Sequence, residues 1–81
     1  MRALVIEDYN PLLTSVTAAL VEEGWAVDSA DDGTEGLWFA QGTDYDAIIL
    51  DLMLPGISGL ELLQRLRKGG SDSPVLILTA R

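Results

Sequence analysis

The sequence predicts an α/β domain built on a parallel, doubly wound sheet, and three observations carry that prediction. Short runs of consecutive apolar residues, Ala3-Leu4-Val5-Ile6, Ala47-Ile48-Ile49-Leu50 and Val75-Leu76-Ile77-Leu78, lack polar alternation, as strands buried on both faces do. Segments with helical spacing separate them, so the chain reads β-α-β-α-β-α-β, the pattern of a parallel sheet covered by helices on both faces. Carboxylates follow two of the runs directly, Glu7-Asp8 after the first and Asp51 after the second.

Each element has a local reason. The first strand spans Ala3 to Ile6. Pro11 suits a first helical turn and Asn10 is placed to cap it, after which Leu13, Val16, Leu20 and Val21 share one face until Gly24 stops the helix. Trp25 to Ala30 alternates apolar and polar residues, as an edge strand does. Asp32-Gly33-Thr34-Glu35 is a turn leading into a capping-box-like start, and the short helix that follows runs through Leu37 and Ala40 to Gly42. Trp38 and Phe39 on that helix are expected to be packing residues, partly core and partly surface. The next strand covers Asp46 to Leu50, and Pro55-Gly56 marks a loop. Ser58-Gly59-Leu60-Glu61 has S-x-x-E capping spacing, with Leu60, Leu63 and Leu66 continuing one face. Arg65, Arg67 and Lys68 crowd the last turn, where positive charge suits the helix dipole, and Gly69-Gly70 ends the helix. Right-handed crossovers and a shared pocket for the carboxylates after strands one and three fit the strand order 2-1-3-4, with the pocket at the point where the chain reverses direction across the sheet.

Composition excludes several classes of function. With 81 residues the chain makes one small domain, of a size that buries only about 60% of its unfolded surface. The absence of cysteine removes disulfides and thiolate metal sites, and the absence of histidine removes the commonest general base and zinc ligand. Five Lys and Arg against 13 Asp and Glu leave a net charge of −8, which disfavours nucleic acid and anionic membranes as partners. No apolar run approaches the roughly 20 residues of a membrane span, and no signal-peptide pattern precedes the first strand. The expected setting is cytoplasmic.

Three carboxylates brought into one pocket repel one another unless a hard divalent cation sits among them, and a metal-bound aspartate there is a candidate phosphate acceptor. The run Ile49-Leu50-Asp51-Leu52-Met53-Leu54-Pro55-Gly56, then Gly59-Leu60-Glu61, together with Glu7-Asp8 and Thr79-Ala80, resembles the receiver domain of two-component response regulators over the whole chain. It is most similar to the subfamily that carries a winged-helix DNA-binding output domain. The resemblance implies a flavodoxin-like, CheY-like fold with Asp51 as the phosphoryl acceptor. It also implies that Glu7 and Asp8 hold Mg²⁺ (or Mn²⁺ in its place) with Asp51 and the backbone carbonyl of Met53, that Thr79 is the switch hydroxyl, and that Pro55, Gly56 and Gly59 shape the loop. The implied partner is a sensor histidine kinase.

A full receiver continues through a fifth strand and a lysine that contacts the phosphoryl group. The resemblance therefore implies a receiver domain over residues 1–81 cut short after strand four, with weak Mg²⁺ binding and short-lived phosphorylation. The apolar strand 75–78, left as an uncovered edge, and the open sheet face predict a homo-oligomer. Three rival readings remain. A structural or interaction module that keeps the receiver fold but never takes phosphate is opposed by the intact acidic set Glu7, Asp8 and Asp51 and favoured by the missing lysine. A haloacid-dehalogenase-type phosphatase needs a second aspartate two residues after the first, where this chain has Met53. Dinucleotide binding needs a G-x-G-x-x-G turn after the first strand, where Glu7-Asp8-Tyr9-Asn10 would repel a pyrophosphate.

Overall fold

A computed structural model describes residues 1–78. The elements follow in the predicted alternation: β1 (Arg2–Ile6), α1 (Asn10–Glu22), β2 (Ala26–Ala30), α2 (Gly33–Gly42), β3 (Ala47–Asp51), α3 (Gly59–Lys68) and β4 (Val75–Leu78). All strand pairs are parallel and the order is β2-β1-β3-β4, as the sequence implies. Ile6 stands opposite Leu50 in the β1/β3 register. Below the start of that ladder, the backbone N–H of Arg2 donates to the Asp46 carboxylate (2.7 Å) and the Asp46 N–H donates to the Arg2 carbonyl (2.8 Å), fixing the two strands at their amino ends.

The two faces of the sheet are covered unequally. On one, Leu4, Ile6, Ile48 and Leu50 form the core with Leu37 and Ala40 of α2 and Leu62 and Leu66 of α3. On the other, α1 lies over β1 and β2, seals Ala3 and Val5 by alternation, and buries none of its own residues completely. The half-buried stripe of α1 is Leu12, Leu13, Val16, Thr17 and Leu20, while Val21 is exposed. Among the described residues β4 is an edge strand bonded to β3 alone, with Val75 against the core but Leu76 64% and Ile77 41% exposed. No helix among the described residues is long and apolar enough to cross a membrane.

Helix ends follow the local chemistry with one correction. Asp32 caps α2 by accepting the Glu35 N–H at 2.7 Å, and Ser58 caps α3 by accepting the Glu61 N–H at 3.2 Å. Glu61 turns its carboxylate to Arg65 one turn on, at 2.7 Å. Asn10 does not cap α1: the extended residue before the helix is Tyr9, which makes no side-chain cap bond, and Asn10 is already helical. Both α1 and α3 close in Schellman turns, Gly24 N–H to Val21 O with Trp25 N–H to Leu20 O, and Gly70 N–H to Arg67 O with Ser71 N–H to Leu66 O. Those turns require the left-handed φ of +91° and +95° that glycine accepts freely.

Two side-chain assignments also change. The buried face of α3 is Gly59, Leu62 and Leu66, with Leu63 half-buried and Leu60 56% exposed, because the helix is rotated so that its 62/66 ridge meets the sheet. Phe39 packs against the core as expected, whereas Trp38 stands 71% exposed.

Tyr45, buried at the entrance to β3, donates its hydroxyl to Asp28 Oδ2 on β2 at 2.6 Å and so ties together two strands that flank β1. Burial first, then the hydrogen bond to the Asp28 carboxylate and its charge, push the phenol up to about 12 from its ordinary 10.0. A folded-state pKa above the unfolded one means that this contribution is complete below pH 10 and is lost as pH rises through about 12. Urea titrations across that window are expected to show stability falling more steeply for the parent than for Tyr45→Phe, which at neutral pH should be less stable by about 1 kcal/mol.

Candidate metal centre

Parallel strands deliver whatever follows them to the same end of the sheet, so the residues after β1 and at the end of β3 meet. Glu7 continues the sheet path by donating its N–H to Ala30 O of β2 at 3.0 Å. Asp51 is the last residue of β3. One carboxylate oxygen from each of Glu7, Asp8 and Asp51 lies within 4.8 Å of the other two. Glu7 is 1% and Asp51 0% exposed, while Asp8 is half-buried at the rim. An all-oxygen donor set of this kind suits a hard divalent cation such as Mg²⁺, which holds several waters besides one or two carboxylates.

Backbone groups hold two of these carboxylates in place. The Tyr9 N–H donates to Glu7 Oε2 and the Met53 N–H to Asp51 Oδ1, both at 3.1 Å and both two residues ahead in sequence. Desolvation is the largest influence on Glu7 and raises its pKa above the ordinary 4.5; the Tyr9 N–H opposes this, and hydrogen bonding to Asp51 and Asp8 adds to it. Folding therefore favours the protonated form of Glu7. Its contribution to stability is complete below about pH 4.5 and is lost as pH rises through the raised value, unless a cation offsets the charge.

The loop after Asp51 is shaped by close backbone approach. Gly59 donates its N–H to Leu52 O at 3.0 Å, and a Cβ on Gly59 would strike the Asp51 carbonyl. Pro55 gives its carbonyl to the Gly33 N–H at 3.0 Å, Gly56 takes a left-handed φ of +78° beside Thr34 Oγ1, and a Cβ on Gly33 would strike the Ile57 carbonyl. The amino end of α2 is thus stitched to the loop that carries Met53. The capping-box-like start at Asp32-Gly33-Thr34-Glu35 does not by itself link Gly33 and Thr34 to this loop; a glycine at the first helical position beside a strong cap is the one local signal. Of the predicted site residues, Glu7, Asp8 and Asp51 come together, Met53, Pro55 and Gly56 lie in the adjoining loop, Gly59 opens α3 against it, and Thr79 lies outside the described residues.

The comparisons agree with this geometry. Residues 3–81 match the response regulator receiver domain family, and the chain belongs to that family. It is 47% identical, over its full length, to the transcriptional regulatory protein TcrA of Mycobacterium tuberculosis and 46% identical to HprR of Escherichia coli, covering 32% and 36% of those proteins. The chain therefore spans about a third of the length of these curated relatives. Among solved structures, the receiver domain of a Pseudomonas aeruginosa sensor histidine kinase, which has a magnesium ion coordinated in its active-site cleft, superposes with a TM-score of 0.91 at 30% identity, over 96% of this chain and 66% of that one. A Burkholderia pseudomallei response regulator with a phosphorylated aspartic acid and a calcium ion superposes with a TM-score of 0.86 at 32% identity, over 96% of this chain and 46% of that one.

Two measurements probe the site physically. Asp51→Asn keeps the acceptor for the Met53 N–H but removes a buried like charge. It is expected to raise the metal-free melting temperature by about 4–8 °C, the equivalent of about 1 kcal/mol, and millimolar Mg²⁺ is expected to stabilise the parent but hardly this variant. Gly59→Ala is expected to destabilise by about 1–3 kcal/mol, because the added methyl meets backbone that cannot rotate away; calorimetry reads both.

Proposed function

We propose that Asp51 is the phosphoacceptor of a cytoplasmic receiver domain that takes its phosphoryl group from a sensor histidine kinase or a small phosphodonor. The observation that carries this reading is the convergence of Asp51 with Glu7 and Asp8 at one end of the sheet, with ligand oxygens within 4.8 Å of one another. Glu7, Asp8, Asp51 and the Met53 carbonyl would hold Mg²⁺, whose charge offsets that of the incoming phosphoryl oxygens. Support comes from the magnesium ion of the Pseudomonas receiver and the phosphorylated aspartic acid of the Burkholderia regulator, both on the same fold.

The chemistry asks little of the protein beyond position. A carboxylate oxygen of Asp51 attacks phosphorus in line, the new O–P bond forms, and the bond to the donor breaks: P–N for phosphohistidine, with the imidazole leaving, or P–O for acetyl phosphate, with acetate leaving. Loose phosphoryl transfer needs alignment and charge neutralisation more than a general acid, so a site without histidine suffices. The acyl phosphate adds about −1.5 to −2 charges, to which Thr79 would donate its hydroxyl as the switch. The domain acts as a phosphoacceptor and not as an enzyme with a separate substrate. The output would be transcriptional regulation through a winged-helix DNA-binding domain in a longer protein, in keeping with the transcriptional regulators it resembles.

Incubation with acetyl phosphate, read by intact mass, is expected to add one phosphoryl group only when Mg²⁺ is present, and none to Asp51→Asn. Labelling of Asp51→Asn equal to the parent would remove Asp51 from the role. The exposed edge of β4 supports homo-oligomerisation as part of the same reading, since an apolar edge strand pairs readily with another chain. Sedimentation velocity is expected to show concentration-dependent dimers that Leu76→Lys abolishes; a monomer at all concentrations would refute the association.

A further inference from the structure

Trp38 is the largest side chain left mainly in solvent on a helix that otherwise packs well. It is 71% exposed, while its neighbour Phe39 turns inward and meets it edge to face, ring centroids 5.2 Å apart at 73°. The two rings do not close over each other. With Asp28, Gly42 and Thr43 they line an open cavity of about 300 Å³ between α2 and the edge strand β2. The cavity lies along the carboxyl-terminal half of α2, whereas the acidic triad lies near its amino-terminal end, where Gly33 meets the loop after Asp51.

The chemistry of this cavity is specific. Two of its lining residues, Trp38 and Phe39, are aromatic, and its one charged lining group is the Asp28 carboxylate. Tyr45 holds that carboxylate by donating to Oδ2 at 2.6 Å, and Oδ1 makes no hydrogen bond among the described residues. A carboxylate has about four acceptor positions, so most of its capacity remains for a ligand. The charges on α2 and in the turn after it are negative, and the nearby cation is Arg2 of β1, which pairs with Ala26 and whose charge acts on the Tyr45 phenol. Glu35 lies one turn before Trp38 on the same flank of α2, and Asp44 follows Thr43. No lysine or arginine occurs between Arg2 and Arg65, so neither β2 nor α2 supplies a cation to fill the cavity.

We propose that the Trp38–Phe39–Asp28 cavity is a docking site for a partner protein segment that presents an arginine side chain. The guanidinium plane stacks on the exposed indole face and its N–H groups reach Asp28, combining a cation–π contact with a charge-assisted hydrogen bond. Arginine suits the site better than a compact ammonium because its planar fork can do both at once. The net charge of −8 draws such a segment in from a distance, and the aromatic anchor holds it once there.

The test is an NMR titration of the ¹⁵N-labelled protein with the capped tripeptide acetyl-Ala-Arg-Ala-amide, with the norleucine analogue as the uncharged control. A saturable shift of the Trp38 indole N–H together with residues 28, 39, 42 and 43 is expected with the arginine peptide. Trp38→Ala should abolish it, and Asp28→Asn, which keeps an acceptor for Tyr45, should weaken it about tenfold. Raised salt should weaken it too. Three results would overturn the proposal: equal shifts with the norleucine peptide, shifts confined to residues 7, 8 and 51, or dimerisation without peptide that Trp38→Ala abolishes, which would make a second copy the occupant.

Discussion

Parallel pairing of β1 with β3, in a register that sets Ile6 opposite Leu50, brings Glu7 and Asp51 side by side with almost no solvent around either. The rest of the molecule answers to that arrangement. Burying Glu7 beside two more carboxylates opposes folding: desolvation first, then hydrogen bonding to Asp51 and Asp8 and the charge of Asp51, raise its pKa. The compensation is an apolar core on one face of the sheet, where Leu4, Ile6, Ile48 and Leu50 meet α2 and α3, and backbone N–H groups that meet the carboxylates from Tyr9 and Met53. A cation held among the three oxygens would offset their charge and link the strands.

The site is therefore less a pocket than the end of a sheet whose loops are held by contact with one another. Gly59 lies against the Asp51 carbonyl, Gly33 lies against Ile57, and the Gly33 N–H takes the Pro55 carbonyl, so α2 and the loop after β3 have one relative placement. The Met53 N–H bonds to the Asp51 carboxylate and so ties it to the loop that α2 braces. The two faces of the sheet differ in a way that bears on partners. The α2/α3 face is closed by its own core, whereas α1 lies over β1 and β2, and among the described residues Leu76 of β4 is exposed.

The Tyr45–Asp28 bond joins these themes at the other end of the domain. It braces β2 against β3 across β1 and, in the same contact, fixes a carboxylate beside Trp38. One hydroxyl thus serves both the packing of an edge strand and the shape of an anionic, aromatic surface on α2.

Element order, strand polarity and the 2-1-3-4 layout could be read from the chain itself, because unbroken apolar runs, capping residues such as Ser58 and Asp32, and the stops at Gly24 and Gly70 are local properties. So were Glu7, Asp8 and Asp51, since a residue that follows a parallel strand has nowhere to go but the carboxyl end of the sheet. Local pattern failed at Asn10, where the chain entered α1 one residue earlier than its capping chemistry implied, and at Leu60, where a few tens of degrees of helix rotation decide which leucine is buried. It could not assign Gly33 to the loop after Asp51, nor separate Phe39 in the core from Trp38 in solvent, because those facts depend on contacts between segments far apart in sequence. Periodicity says which residues share a face; only the packed sheet says what that face meets.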